Sequence, residues 1–424
     1  MRLQYQGLYF GWIIVAIAFI IRVFGIGVRS SFGVFLLPLE QEFATGRASI
    51  SLTASIALFV IAFSQPFIGR LVDALGAKRL LAMGAILIAV SQFLLSTARS
   101  PLEIYVYMGL IGGLGFGTVT SVPGAILITN WFFRRRGFAL SLATSGIGIG
   151  LPVLAVPASL ITLASGWRTG YLFLGGITLA ILLPVMLLIR EKPSQLDPRE
   201  MGPSGSGADI RSEERSTPLR TVFRTRPFWL LMSTYTVCGF TVTILDVHLV
   251  PIAVEAGVSQ IVAAGALGTL GIFMGAGLIA SGFAADKVGK KRMLMMSYSV
   301  RGVALLGLLS VRDPVSLYVV VAVFGIVELS TVPATTILCR EFYGARSMGT
   351  VYGLVYFGHQ VGSAVSSYVA GFFRDLTGSY AQIIIIAASL AFVAGALSLL
   401  LNEKTRIVHV SAPAVAKPLI KGPG

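Results

Sequence analysis

The sequence predicts an all-α polytopic membrane protein whose twelve transmembrane helices form two pseudo-symmetric six-helix bundles. Three observations carry this expectation: the composition, twelve apolar runs of spanning length, and a repeat relating the two halves. The 424 residues are 55% hydrophobic and only 12% charged, with a mean hydropathy of +0.85. Soluble chains carry about 25% charged residues. This chain cannot cover a water-facing surface, which all but excludes a soluble enzyme. Disorder is excluded as well, because 26 Phe and the long Leu/Ile/Val runs would collapse. Cys238 and Cys339 both fall in apolar segments, and neither a disulfide framework nor metal-ligand spacing is present. No cofactor and no metal are expected.

A spanning helix needs about 20 apolar residues. The runs cover residues 9–38, 48–69, 80–97, 103–130, 138–163, 169–189, 228–252, 262–284, 292–311, 315–338, 348–372 and 381–401. The first run is too long for a signal-peptide core, carries Arg22 and Arg29 and lacks a small-residue cleavage site, so it reads as a span. Residues 190–227 are rich in Pro, Ser, Gly and charge, as in Met201–Gly207, and read as a cytoplasmic linker. They separate an N-terminal bundle, 1–189, from a C-terminal bundle, 228–401. Residues 402–424 read as a disordered cytoplasmic tail.

Charge sets the orientation. With the N-terminus inside, 25 of the 33 Lys and Arg fall in cytoplasmic segments, five in outer loops and three within spans. This asymmetry places both termini in the cytoplasm. It also accounts for the formal charge of +15 without nucleic acid as a partner. Basic loops that bind anionic lipid would fit the same topology.

The halves are related by sequence. Gly69-Arg-Leu-Val-Asp73-Ala-Leu-Gly76-Ala-Lys78-Arg79 follows span two, and Gly282-Phe-Ala-Ala-Asp286-Lys-Val-Gly289-Lys290-Lys291-Arg292 follows span eight, at an offset of 213. At that offset Val34–Pro38 in span one matches Val247–Pro251 in span seven. Gly137, Gly146 and Gly150 in span five match Gly349, Gly358 and Gly362 in span eleven at an offset of 212. A repeated six-helix half is the build of a transporter with its site between the halves near the midplane.

The doubled G-x-x-x-D-x-x-G-x-[KR]-[KR] loop resembles the signature of the major facilitator superfamily, and the likeness covers essentially the whole chain. It implies the major facilitator fold and alternating access. It also implies gating of the cytoplasmic side by Gly69, Asp73, Gly76 and Arg79 and by Gly282, Asp286, Gly289 and Arg292. An acidic side chain there can face a helix N-terminus while the basic residues hold the turn at the membrane surface. Within the superfamily, Trp131-Phe-Phe-Arg134-Arg135-Arg136-Gly137-Phe138-Ala139 and the small residues that follow look like the fifth-span signature of monocarboxylate transporters. They depart from it at Ser141 and Ser145. Gly11-Trp12 keeps part of the first-span signature. The chain is thus similar to the bacterial monocarboxylate transporter and oxalate–formate antiporter-like group, which implies the inner membrane of a bacterium. That group also implies an arginine in span eight or a lysine in span eleven. Here Gln260–Ala285 holds no ionisable residue, and span eleven holds no lysine. Either the anion-binding cation lies elsewhere or the substrate differs.

Ionisable residues inside spans default to functional hypotheses. Arg22 and Arg29 are seven residues apart on span one and share a face. Either guanidinium suits a substrate carboxylate, and snorkelling to head groups or an intramembrane pairing such as Arg22 with Glu328 is the competing role. Asp246 and His248 in span seven are candidates for proton coupling, since burial lets a carboxylate trade protons near neutral pH and histidine does so unaided. Being two apart, they point different ways. Asp246 sits ~27 Å along its helix, toward the outer surface. Glu328 sits ~18 Å along span ten, near the midplane, and is the leading proton carrier, with a structural pair to an arginine as its alternative. Tyr352, Tyr356, His359 and Ser363 make one polar stripe on span eleven, and Tyr356 and His359 are candidate substrate contacts. Arg301, in the peripheral span nine, reads as structural. The glycines of spans four and five serve close helix crossing. Gly113–Gly117 lies within a span and is no nucleotide loop.

The reading is a secondary active transporter, not an enzyme. It moves a small organic anion, a monocarboxylate, by alternating access with proton symport, and works as a monomer. Its partners are the anion, a proton or counter-substrate, and the lipid bilayer. An anion exchanger, an exporter of another small amphiphile, and a non-transporting membrane sensor stay open beside it.

Overall fold

The computed structural model describes residues 10–120, 122–132, 136–191, 217–344, 347–403 and 405–407. These residues form helices and no strand. Among the described residues twelve rods follow one another: α1 (Phe10–Phe43), α2 (Arg47–Leu75), α3 (Ala77–Ser96), α4 (101–120 and 122–131), α5 (136–165), α6 (Trp167–Leu187), α7 (Arg226–Glu255), α8 (Gln260–Val288), α9 (Lys290–Leu308), α10 (Pro314–Tyr343), α11 (Met348–Thr377) and α12 (Ala381–Leu399). Ten are long and apolar enough to cross a membrane, by length and composition. The other two are α9, which carries a basic first turn and Arg301, and α11, which carries the polar stripe. Both are held by their neighbours, α9 along α12 and α11 along α2 and α7. Most of the linker and the tail, 192–216 and 408–424, lies outside the described residues.

Four rods are irregular. In α1 the helix breaks at Ser31, whose hydroxyl donates to Gly27 O at 2.7 Å. In α4 the segment Tyr105–Gly112 is π-helical. In α5 Leu151–Ala155 is also π-helical, around Pro152, which has no N–H to give the regular ladder. In α10 the helix stops at Glu328 and restarts at Thr331.

The chain enters and leaves at one end of the bundle. There the Arg190 guanidinium lies 4.6 Å from the Phe10 ring centroid, and Ile407 N donates to Phe342 O at 2.7 Å. We call this the near end. The halves converge at the other, far end. Ser55 Oγ donates to Ala364 O at 2.7 Å and Ser367 Oγ to Ser51 O at 3.0 Å, joining α2 to α11. The symmetry-related crossing of α5 and α8 brings Gly148 and Gly271 so close that a Cβ on either would lie 2.5 Å from the other's carbonyl oxygen. Only glycine permits that approach. Gly33 of α1 likewise abuts the carbonyls of Asp246 and Val247 of α7. Toward the near end the halves part, and a Cβ on Gly349 or Gly353 of α11 would meet nothing within 4 Å.

The repeated loops lie at the near end and share one construction. Gly76 (φ +83°) ends α2 and Gly289 (φ +91°) ends α8, conformations that favour glycine. The first turn of the next helix is then capped from beyond the sixth helix of the same half. Lys78 N donates to Glu191 Oε1 at 2.9 Å, and Lys291 N donates to Glu403 Oε1 at 2.9 Å. Glu191 and Glu403 are themselves 212 apart, so the repeat extends past the last span of each half. Gly69, Asp73, Gly282 and Asp286 lie on the last turns of α2 and α8, and their side chains fall outside the described residues. Arg79 and Arg292 are exposed. Replacing Glu191 or Glu403 by alanine is expected to cost roughly 1 kcal/mol each, the value of a helix N-cap. Thermal unfolding of the purified variants measures it.

Candidate functional site

The charged residues of the spans gather between the halves. Arg29 Nη2 of α1 pairs with Asp246 Oδ2 of α7 at 3.4 Å, with side-chain exposures of 20% and 15%. Asp246 is thus not a free outer-end carboxylate but half of an ion pair that bridges the two bundles. Its position in the repeat is occupied in α1 by Gly33, which lies against it. Arg22, two turns from Arg29, makes neither hydrogen bond nor ion pair with the described residues. It lies within electrostatic reach of the phenols of Tyr352 and Tyr356 on α11. Behind it, Gly146 of α5 lies against the Phe19 carbonyl and the Arg22 Cβ, which keeps α5 close.

Glu328 stands at the break in α10, 3% exposed, with its Oε2 buried and unpartnered. It lies within electrostatic reach of Asp246, Arg29 and Arg301. The expected alternative, a hydrogen-bonded pair between Glu328 and an arginine, is not the arrangement found. Arg301 is fully buried and donates through Nη2 to the carbonyls of Val327 (2.8 Å) and Glu328 (2.7 Å). These carbonyls are freed by the helix break, and the guanidinium satisfies them. Through Nη1 it donates to Cys238 Sγ (3.1 Å) and Thr241 Oγ1 (3.2 Å) of α7. Arg301 therefore fixes the backbone that carries Glu328 and leaves the carboxyl free to change partners.

The stripe on α11 faces this cluster. The rings of Tyr352 and Tyr356 stack at 6.3 Å and those of Tyr356 and His359 at 5.6 Å, with only 6° between the latter planes. Tyr235 of α7 closes the row, 5.0 Å from the His359 ring, and its hydroxyl meets that of Tyr352 at 3.2 Å. His359 Nδ1 lies 3.1 Å from Gln360 Oε1. Ser363, the fourth member, is buried against Gly239 instead.

His248 is separate. It is fully buried, with Nε2 2.9 Å from Ser367 O and Nδ1 2.9 Å from Tyr380 Oη. A carbonyl only accepts, so Nε2 carries the proton and Nδ1 accepts from the phenol. Burial pushes the Tyr380 phenol above its ordinary range, which keeps that donor protonated. Tyr380 in turn accepts from Arg47 Nη1 at 3.2 Å.

Arg47 centres a far-end network that the sequence reasoning missed. Its buried guanidinium pairs with Glu40 of its own half and with Glu255 of the other. Arg374 also pairs with Glu255, at 2.7 Å. The amides of Arg47 and Ala48 donate to the Asp375 carboxylate at 2.9 and 2.8 Å. Six charged or phenolic groups, Glu40, Arg47, Glu255, Arg374, Asp375 and Tyr380, thus tie the halves together. The available signal was Glu40 and Arg47 flanking a loop between two apolar runs.

Trp12 meets Phe132 (5.0 Å) and Phe138 (6.0 Å), so the residues resembling the first-span and fifth-span signatures pack together at the near end. Arg134 and Arg135 lie outside the described residues.

Comparison with known proteins agrees with the fold. The model of the Major Facilitator Superfamily matches residues 15–367 and 233–421. An uncharacterized MFS-type transporter of Bacillus subtilis, YcxA, is 27% identical over 388 residues, covering 90% of this chain and 92% of its own. Monocarboxylate transporter 13 of Bos taurus is 28% identical over 381 residues, covering 89% of this chain and 86% of its own. Monocarboxylate transporter 12 of Rattus norvegicus is 28% identical over 398 residues, covering 87% and 81%. Among solved structures, a bacterial homologue of the human lysosomal transporter Spinster in an inward-facing and occupied conformation aligns with a TM-score of 0.70 at 15% identity, over 93% of this chain and 97% of that one. Its inward-facing and unoccupied form aligns at 0.68. At such identity the likeness speaks for the fold alone.

Proposed function

The chain belongs to the Major Facilitator Superfamily, and from that premise we propose that it carries a small monocarboxylate, together with a proton, across the bacterial inner membrane. It is a multi-pass membrane transporter, not an enzyme. One observation carries the finer reading. Arg22 presents a guanidinium without a counter-charge to the space between the halves, while its neighbour Arg29 is already neutralised by Asp246. A desolvated cation that lacks a partner favours an anion. The likeness to proteins named monocarboxylate transporters supports the same class.

In this reading the near end is the cytoplasmic end, as the charge asymmetry favours, and the described conformation faces inward. The carboxylate meets Arg22 beside Tyr356 and His359. Glu328 takes the proton, with Asp246 as the second carboxylate of the relay, and Arg29 moves between Asp246 and the substrate. His248 serves the far-end network rather than the proton path. The glycine-turn loops at Gly76 and Gly289 hold the near end when it closes.

The far-end network then locks the outer gate. Arg47→Ala is expected to shift the population toward the outward-open state. Spin labels placed at Arg99 and Arg312, both exposed at the far end, report it as a longer distance between the halves. An unchanged distance would remove the gating role.

The transport reading is tested by uptake of labelled carboxylates into proteoliposomes with and without an acid-outside gradient. Gradient-stimulated uptake is expected. Uptake that instead needs internal substrate would establish exchange, the alternative that the cation-free stretch Gln260–Ala285 favours.

A further inference from the structure

We infer that the site selects a monocarboxylate with a flat, ring-shaped body, an arene or heteroarene acid, in preference to a short aliphatic acid. The inference rests on the carboxylate reading above and specifies the rest of the molecule. Arg22 is the span cation without a partner among the described residues, since Arg29 is engaged by Asp246 and Arg301 by two carbonyls. One free guanidinium seats one carboxylate in bidentate fashion.

Within electrostatic reach of that guanidinium are Tyr352 and Tyr356, two rings of a ladder on α11. Tyr352, Tyr356 and His359 follow helical spacing, with centroids 6.3 and 5.6 Å apart and planes within 29° and 6°. These separations are those of offset-stacked rings. The polar edges are partly occupied, because the Tyr352 and Tyr235 hydroxyls meet each other and His359 meets Gln360. The outer face at the Tyr352 end and the half-buried edges of this row are what remains for a ligand. A further planar ring can continue such a stack. A saturated ring of the same size gains apolar burial but no ring–ring geometry. The space does not restrict the ligand to three carbons either. Gly353, one residue beyond Tyr352, and Gly349, one turn further, open onto room in which an added Cβ would touch nothing within 4 Å.

The test is equilibrium binding to the purified full-length protein in nanodiscs, by calorimetry. The probes are benzoate, cyclohexanecarboxylate and acetate at neutral pH, where all three are ionised. Benzoate is expected to bind about 2- to 10-fold tighter than cyclohexanecarboxylate, the size of one stacked aromatic pair, and acetate weakest. Tyr356→Leu is expected to erase the ratio between the two ring acids, Tyr356→Phe to keep it, and Arg22→Gln to weaken both equally. Elution of each variant as a monodisperse peak shows that it folds, and the wild-type ratio is informative without any variant. Equal or tighter binding of cyclohexanecarboxylate, tighter binding of acetate, or an unchanged ratio in Tyr356→Leu would overturn the inference while leaving the carboxylate reading intact. No binding of any carboxylate would overturn both.

Discussion

Arg22→Gln is expected to lower carboxylate uptake by roughly 100-fold, the loss associated with removing a charge-assisted bidentate contact. The effect should appear in transport and not in stability. Arg22 holds no partner among the described residues, so its removal orphans nothing. Arg29→Gln should behave differently. It leaves Asp246 half-buried and unpaired, and the expected result is lower yield and a lower unfolding temperature along with lost transport. Arg29→Gln combined with Asp246→Asn should recover the yield but not proton-driven uptake. This contrast separates a substrate-binding cation from a structural one. Equal effects of Arg22→Gln and Arg29→Gln on yield would contradict the assignment.

The second large effect is expected at Glu328. Glu328→Gln keeps the shape and the buried position but removes the exchangeable proton. Accumulation driven by an acid-outside gradient should vanish, while exchange of internal for external carboxylate should persist at near wild-type rate. The physical basis is the site itself: a carboxyl that is 3% exposed, with one oxygen unpartnered, within electrostatic reach of Arg29 and Arg301. Removing or adding one proton there changes the electrostatics of the whole cluster, because a buried charge is screened only weakly. Intact accumulation in Glu328→Gln would move the coupling role to Asp246.

The twelve-span, two-half architecture was legible because a bilayer imposes length and apolarity on each rod, and because the repeat at offsets of 212 and 213 marks both halves. The central cluster was legible for the same reason. Arg22, Arg29, Asp246, Glu328, Tyr356 and His359 stand out against apolar surroundings, and the fold brings them together. Their partners were not legible. Spacing along a helix says which residues share a face, and nothing in it distinguishes Arg22 from Arg29 as the one that Asp246 neutralises. Arg301 illustrates the limit. Its partners are two backbone carbonyls released by a helix break, and Pro333, which hints at a bend there, says nothing of what satisfies them. The far-end network joins Glu40 and Arg47 to Glu255, Asp375 and Tyr380 at ordinary-looking helix ends, with bonded partners up to 333 positions apart. Glu191 and Glu403 were within reach, since the repeat offset extended past the sixth span leads from one to the other.

The central claim is that a carboxylate and a proton cross together through one site between the halves. Proteoliposomes loaded with a pH-sensitive dye test it most directly. Benzoate added outside, with the membrane potential clamped at zero and no imposed gradient, should acidify the lumen of wild-type vesicles beyond the leak of protein-free vesicles. The same addition to Glu328→Gln vesicles should give only the leak. Labelled benzoate entering wild-type vesicles with no lumenal acidification beyond that of protein-free ones would contradict the account.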